Sequence, residues 1–477
     1  MRKRTLLLAV GLTTGLLTAL PGAATAAPSG PAGDFNGDGY RDVAIGADSA
    51  DVGSVPYAGA VVVLYGSASG VSKAKKTVIT QNSAGVPGAA EQGDRFGNSL
   101  AAGDLNADGY ADLVVGAQYE SIGSRDGVGT ATVIWGGKSG LTGGSVLPSP
   151  GGLTEWGGYS SGIATGDFNR DGRTDVTITG QSRTGFYLGP FTRAGKPASL
   201  TDVSELGSTY NVIAGDLDAD GAAERVYPYA TDGDLGGVIG YFGYDPEGAG
   251  SHPDSDYAQT DLPLADGDQG AVGDINGDGY GDLVLGDHED PRSDKKSGHK
   301  GGRISVWYGG PNGPDPAQKP TLIHQDSAGV PGTGETADLF GSALSVGDIN
   351  GDKYADVAVG AFGEDNGKAE ESGSVTVLFG SATGLKGSGA KVYTQNTAGV
   401  PGADEDYDAF GQSVRLVDLD KNGKADLVVG AGGENGYGAL TVLRGSASGL
   451  TTSGAKFLSA RDVSLKGDAS FGWVIGQ

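Results

Sequence analysis

Residues 104–112 read Asp-Leu-Asn-Ala-Asp-Gly-Tyr-Ala-Asp, and an apolar run closed by glycine, Leu113-Val114-Val115-Gly116, follows at once. The same nonapeptide returns as DFNGDGYRD from Asp34, DFNRDGRTD from Asp167 and DLDADGAAE from Asp216. It returns again as DINGDGYGD from Asp274, DINGDKYAD from Asp348 and DLDKNGKAD from Asp418. Successive copies start 70, 63, 49, 58, 74 and 70 residues apart. That period is too long for a helical solenoid and suits a four-stranded propeller blade with sizeable loops.

The segments between copies read as strands. Val43-Ala44-Ile45-Gly46 and Leu427-Val428-Val429-Gly430 repeat the apolar run, and β-rich runs such as Ala60–Tyr65, Thr130–Trp135 and Ser374–Phe379 come next. They are short, β-branched and bounded by glycine, as in Gly66-Ser67-Ala68-Ser69-Gly70. No long segment carries a 3.6-residue apolar period. The fold class is all-β, and seven repeats predict a seven-bladed β-propeller of four-stranded blades.

Phe96, Phe340 and Phe410, each followed by glycine, stand eight residues before Asp104, Asp348 and Asp418. Gly116-Ala117, Gly360-Ala361 and Gly430-Ala431 follow the same loops. With these pairs the sequence resembles the FG-GAP repeats of integrin α-chain propellers and their bacterial relatives. The resemblance spans essentially the whole chain beyond residue 26. It is strong in repeats two, six and seven and weaker in three, four and five, where Glu224 replaces Asp and repeat five lacks the Phe-Gly pair. Ser-Ala-Gly-Val-Pro-Gly at Ser83 and Ser327, with a Thr397 variant, recurs as well.

The nonapeptide has the chemistry of a hard-cation loop. Calcium takes six to eight oxygen ligands in a flexible shell. Side chains at positions 1, 3 and 5 converge when the chain curls, glycine at position 6 permits the turn, and position 7 offers a carbonyl. The candidate ligands are therefore Asp34, Asn36, Asp38, Tyr40 and Asp42 in loop one, and Asp104, Asn106, Asp108, Tyr110 and Asp112 in loop two. Loop three supplies Asp167, Asn169, Asp171, Arg173 and Asp175, and loop four Asp216, Asp218, Asp220, Ala222 and Glu224. Loop five supplies Asp274, Asn276, Asp278, Tyr280 and Asp282, and loop six Asp348, Asn350, Asp352, Tyr354 and Asp356. Loop seven supplies Asp418, Asp420, Asn422, Lys424 and Asp426.

Position 12, the carboxylate of helix–loop–helix calcium sites, is Ile45, Val115, Ile178, Tyr227, Leu285, Val359 or Val429. That class of site is excluded. The acid at position 9 instead matches the β-hairpin calcium loop that the family resemblance implies. Up to seven Ca2+ ions are expected, one per blade. Weaker binding is expected in loop four, where Glu224 changes the reach, in loop six, where Lys353 takes the glycine place, and in loop seven, with Asn422, Lys421 and Lys424. These loops hold 22 of the 59 acidic residues, a concentration that repels itself without cations.

Composition narrows the function. Arg2, Lys3 and Arg4, the apolar run Leu6–Leu20 and Ala24-Thr25-Ala26 predict a signal peptide over 1–26, leaving a single propeller domain over 27–477. The expectation is a secreted, extracellular monomer without membrane insertion. There is no cysteine, so calcium stands in for disulfides as the staple. The formal net charge of −26 excludes nucleic acid and anionic lipid as partners. Four histidines, His252, His288, His299 and His324, show no zinc or catalytic spacing. The G-x-S-x-G match over Gly158–Gly162 lies where a strand is due, not the strand–turn–helix of a nucleophile elbow.

The expected function is an extracellular binding or adhesion module for a glycan, cell-wall component or protein. The alternative is an extracellular hydrolase or lyase acting on a polymer. Exposed Tyr, Trp and His around one face favour binding; a cleft with paired carboxylates and a base favours an enzyme. The uneven loops after the second strands are candidate ligand loops: Asp287–Lys300, the one with Tyr119, Glu120, Arg125 and Asp126, and the one with Phe362, Glu364 and Asp365.

The chain also reads as a ring cut open. Phe471-Gly472-Trp473-Val474-Ile475-Gly476-Gln477 repeats the Phe-Gly strand, and eight residues on from Phe471 overruns the sequence by two places. Gly33-Asp34 would supply them. Trp473–Ile475 are expected to form the inner strand of the first blade beside Val43–Ile45.

Overall fold

The structure is a computed structural model that describes residues 33–181, 183–203, 209, 211–231, 234–244, 257–262, 265–291 and 298–476. The signal-peptide reading of 1–26 and positions 292–297 of the charged insert lie outside the described residues.

Seven four-stranded antiparallel sheets are present, as the repeat count requires. Blade two shows the pattern. Phe96–Gly103 is innermost, then Asp112–Ala117, Thr130–Trp135 and, outermost, Thr142–Val146. The innermost strands of blades three to seven are Gly162–Gly166, Ile213–Gly215, Gln269–Gly273, Ala343–Gly347 and Phe410–Val417. In blades two to seven the nonapeptide joins the innermost strand to the second, and in blade one it leads into the second strand. Because strands alternate in direction, all seven nonapeptides share one face of the ring. The loops after the second strands, and the connections between blades, share the other.

The first blade closes as the sequence implies. Val474–Ile475 is its innermost strand, with Ile475 opposite Ile45 and Val474 opposite Gly46. Gly476 N donates to Ala44 O at 2.9 Å, and Asp42 N donates to Gly33 O at 2.8 Å. Gly33 and Val474–Gly476, far apart in sequence, thus complete one strand position. The partner is the expected strand, paired through Ile45 and Gly46, whereas Trp473 stands outside the strand, 51% exposed. A turn bond from Trp473 N to Ser470 O at 2.9 Å leads it out of the ladder.

The core lies between blades. Seven apolar clusters fill the seven blade–blade interfaces. Strand alternation decides which cluster a residue joins. Leu113 and Val115 pack toward blade one, whereas Val114 packs toward blade three. With both faces covered, the second strands read as continuous apolar runs. Phe96, Phe340, Phe410 and Phe471 are at most 1% exposed. The glycine after each must be small: a Cβ at Gly97, Gly341, Gly411 or Gly472 would come within 2.4–2.8 Å of a carbonyl oxygen in the preceding blade.

Among the described residues, no helix is long and apolar enough to cross a membrane.

Candidate metal centres

Each nonapeptide is held by its own side chains. In loop one, Asp34 accepts from Gly37 N at 2.7 Å and Gly39 N at 2.8 Å, Asn36 from Asp38 N at 2.8 Å, and Asp38 from Tyr40 N at 3.0 Å. The side chains at positions 1, 3 and 5 thus curl the chain around themselves, as Asx turns do. The position 7 residues Tyr40, Tyr110, Arg173, Ala222, Tyr280, Tyr354 and Lys424 each donate their N–H to the position 5 oxygen at 2.7–3.1 Å. Lys353 adopts φ 77°, the left-handed turn that glycine makes in the other loops, so loop six carries the expected strain.

Position 9 works differently. Asp42 accepts from Phe35 N at 3.0 Å and from Gly66 N, beyond the third strand, at 2.9 Å. Asp112 does the same with Leu105 N and Gly136 N, and Asp175, Asp282, Asp356 and Asp426 follow suit. This acid ties the loop to the blade as well as facing it. Burial pushes Asp42, Asp112, Asp175 and Asp356 up to about 7, although two backbone N–H groups oppose the shift in each. Burial likewise pushes Glu224 up to about 8 and Asp282 and Asp426 to about 6.

Two features escaped sequence reasoning. The position 2 residues Phe35, Leu105, Phe168, Leu217, Ile275, Ile349 and Leu419 are at most 1% exposed, and each plugs the interface with the next blade. Their constant apolar character between two polar positions was the available signal. The loops are also chained together. At four junctions a position 1 carbonyl accepts from the position 8 N–H of the next loop: Ala111 to Asp34 at 3.0 Å, Ala223 to Asp167 at 2.7 Å, Ala355 to Asp274 at 2.9 Å and Ala425 to Asp348 at 2.7 Å.

The oxygens present fit a hard cation. Asp216 Oδ1 and Glu224 Oε1 in loop four, and Asn106 Oδ1 in loop two, are buried with no hydrogen-bond partner among the described residues. A buried orphan of this kind costs about 1–3 kcal/mol, and an oxygen-seeking ion would satisfy it. Asp216, Asp218 and Glu224 place one oxygen each within 4.8 Å of one another, as do Asp418, Asp420 and Asp426. These are the two loops with Asp at position 3; the other five have Asn there. Glu224 therefore reaches the cluster in loop four despite its length. In loop seven, Arg444 pairs with Asp420 and competes for that carboxylate. Arg193 pairs with Asp108 of loop two at 2.6 Å.

The opposite face carries a second set of acids. Gln81 Nε2 donates to Glu120 at 2.5 Å, Gln395 Nε2 to Glu434 at 2.5 Å, and Gln325 Nε2 to Glu364. Each glutamine is the second residue after an outermost strand, and each glutamate belongs to the next blade. Asp94, Asp338 and Asp408 lie alongside and are at most 3% exposed. The recurring Ser-Ala-Gly-Val-Pro-Gly sits inside this unit and was its visible trace. Burial pushes Asp94 and Asp338 up to about 6, and Glu120, Glu364 and Asp408 up to about 7, with neighbouring acids adding to the effect.

These carboxyls set a pH dependence. Folded, they hold protons up to about pH 6–7, whereas unfolded they release them near pH 4. The folded state binds more protons across that window, so stability falls as pH rises through it. In excess chelator, the melting temperature should be higher at pH 5 than at pH 8. A flat or rising trend would contradict the burial of these groups.

Ser160 of the G-x-S-x-G match is fully buried and leads into the strand Gly162–Gly166, with no helix after it.

Sequence comparison matches the FG-GAP repeat model at residues 26–64, 96–134, 267–307, 340–378 and 410–443, and an FG-GAP-like repeat at 167–227. Together these matches cover about half of the chain. Integrin alpha-IIb of Mus musculus is 36% identical over 177 residues, 36% of this chain and 15% of the integrin. Integrin alpha-V of Gallus gallus is 32% identical over 214 residues, 43% of this chain and 18% of the integrin. Phosphatidylinositol-glycan-specific phospholipase D of Rattus norvegicus is 29% identical over 212 residues, 43% of this chain and 23% of that protein. Each alignment spans less than a quarter of the relative's own length. Repeat matches that fall on observed blades, a ring closed by seven of them, and kinship to integrin α-chains make this chain a member of the FG-GAP repeat family, built as an integrin α-like β-propeller.

Proposed function

We propose that this is an exported propeller, beginning near Ala27, whose nonapeptide face holds calcium and whose opposite face binds an extracellular glycan, cell-wall component or protein. One observation carries the reading. Tyr57, Tyr119, Trp156, Tyr407 and Trp473, from 38% to 62% exposed, all lie in loops on the face opposite the nonapeptides. Exposed aromatics gathered on one face of a rigid scaffold are what a binding surface needs. Tyr119 and Trp156 are neighbours, with ring centroids 6.4 Å apart. The mouth of the central channel on this face is a cavity of about 500 Å³, with His288, Phe362, Gln412 and Trp473 in its wall.

The metal role follows from the other face. The side chains at positions 1, 3, 5 and 9, with the position 7 carbonyl, would hold each ion. Calcium there supplies charge neutralisation and cross-linking, not chemistry on a substrate. Because backbone bonds such as Ala111 N to Asp34 O join neighbouring loops, filled loops would stiffen the ring that presents the aromatic face. Integrins and a phospholipase D share these repeats yet are named for different activities, so the repeats serve as a scaffold.

The test is binding to a glycan array and to immobilised extracellular proteins, with calcium and with chelator. Trp156 is 62% exposed, so Trp156→Ala should leave melting unchanged and weaken binding by about 30-fold or more, as loss of an aromatic anchor does. Undiminished binding by Trp156→Ala and Tyr407→Ala would remove this face from the account.

A further inference from the structure

The fold brings together two histidines and an aspartate whose sequence positions give no sign of it. His299 closes the loop between the second and third strands of blade five, Asp282–Asp287 and Arg303–Trp307. His324 and Asp326 directly follow that blade's outermost strand, Thr321–Ile323. Each of the three offers one ligand atom, and these atoms all lie within 4.8 Å of one another. The imidazole rings stack with centroids 3.5 Å apart, and His299 Nε2 lies 3.4 Å from Asp326 Oδ2.

We infer that His299, His324 and Asp326 form a site for a borderline transition-metal ion of the zinc class, separate from the nonapeptide loops. Two nitrogens and one carboxylate oxygen are the donors such ions prefer, with room left for water or a ligand group.

Three details support it. His299 Nδ1 lies 2.8 Å from the Lys300 carbonyl oxygen, which can only accept. Nδ1 therefore donates to that carbonyl, which leaves Nε2 as the ring nitrogen turned toward Asp326 and available to a metal. A backbone carbonyl in this place is a common way to orient a metal-binding histidine. His324 Nδ1 is buried with no hydrogen-bond partner among the described residues. Finally, Gly334 leaves the space open. A Cβ there would lie 2.5 Å from Lys300 O, 3.1 Å from Asp326 Oδ2 and 3.3 Å from His299 Cε1. Gly334 N also donates to Asp326 Oδ1 at 3.1 Å, aiming the carboxylate.

The rings are within 12° of parallel, so one must turn about χ2, a soft torsion, for both lone pairs to meet one ion. The bound ion would clamp the end of the charged insert to the junction of blades five and six, on the aromatic face.

The test uses the untagged full chain in excess calcium, which saturates the oxygen sites, titrated with zinc by calorimetry and with cobalt by visible absorption. The expected result is one tight zinc ion per chain and a cobalt spectrum of four- or five-coordinate type. His324→Gln and His299→Gln should each weaken zinc by more than about 100-fold, while His288→Gln retains it. A melting curve in calcium alone checks that each variant is folded. If a variant fails to fold, the cobalt spectrum of the parent decides: octahedral, water-like absorption overturns the site. Zinc binding unchanged in a folded His324→Gln also overturns it.

Discussion

Removal of Phe471–Gln477 is expected to open the ring and sharply destabilise the protein. The segment supplies the innermost strand of blade one. Phe471 is 0% exposed and sits in the cluster between blades seven and one. Ser413 Oγ of blade seven donates to Gly472 O at 2.6 Å, so the segment also bonds to its neighbour. Loss of a buried phenylalanine alone costs about 3–5 kcal/mol. Truncation would in addition expose the edge of Val43–Ala47 and that interface, inviting edge pairing between molecules. Thermal melting and light scattering measure both effects. A truncated chain that melts like the parent and stays dispersed would refute the closure.

Chelation should produce the other large effect. A loop filled at a hundredfold excess over its Kd stabilises the folded state by about 2.7 kcal/mol. Four such loops would contribute about 11 kcal/mol, which for a domain of this size raises the melting temperature by roughly 10 °C. The increments should not be independent, since bonds such as Ala111 N to Asp34 O join neighbouring loops. Melting in excess calcium against excess chelator reads the shift. Coincident curves would rule out a stapling role for metal.

Sequence periodicity reached far in this chain because the repeat is covalently regular. Seven nonapeptides in one register located every turn between innermost and second strand. The spacing of Phe96 from Asp104 then located the closing strand from Phe471. Pattern could not reveal the double duty of position 9. An aspartate there reads as a ligand, and only the fold shows Gly136 N, 24 residues on from Asp112, bonded to it. The same limit hid the Gln81–Glu120 pairs, whose partners are 39 residues apart, and the His299–His324 stack. Contacts between blades depend on how sheets pack around a ring, and no local motif records that. Loop four shows the converse. Glu224 looks like a departure from the motif, yet its carboxylate joins Asp216 and Asp218 within 4.8 Å.

The two faces divide the work. Acidic, self-bonded loops that fit cations line one side, and aromatic loops line the other, with seven apolar interfaces between them. Function therefore depends first on whether the acidic loops hold metal. Calcium per chain, measured by elemental analysis after dialysis against buffered calcium, tests this most directly. Several ions, up to seven, are expected, and about one fewer in Asp108→Ala. Less than one ion per chain, or an unchanged count in a folded Asp108→Ala protein, would contradict it.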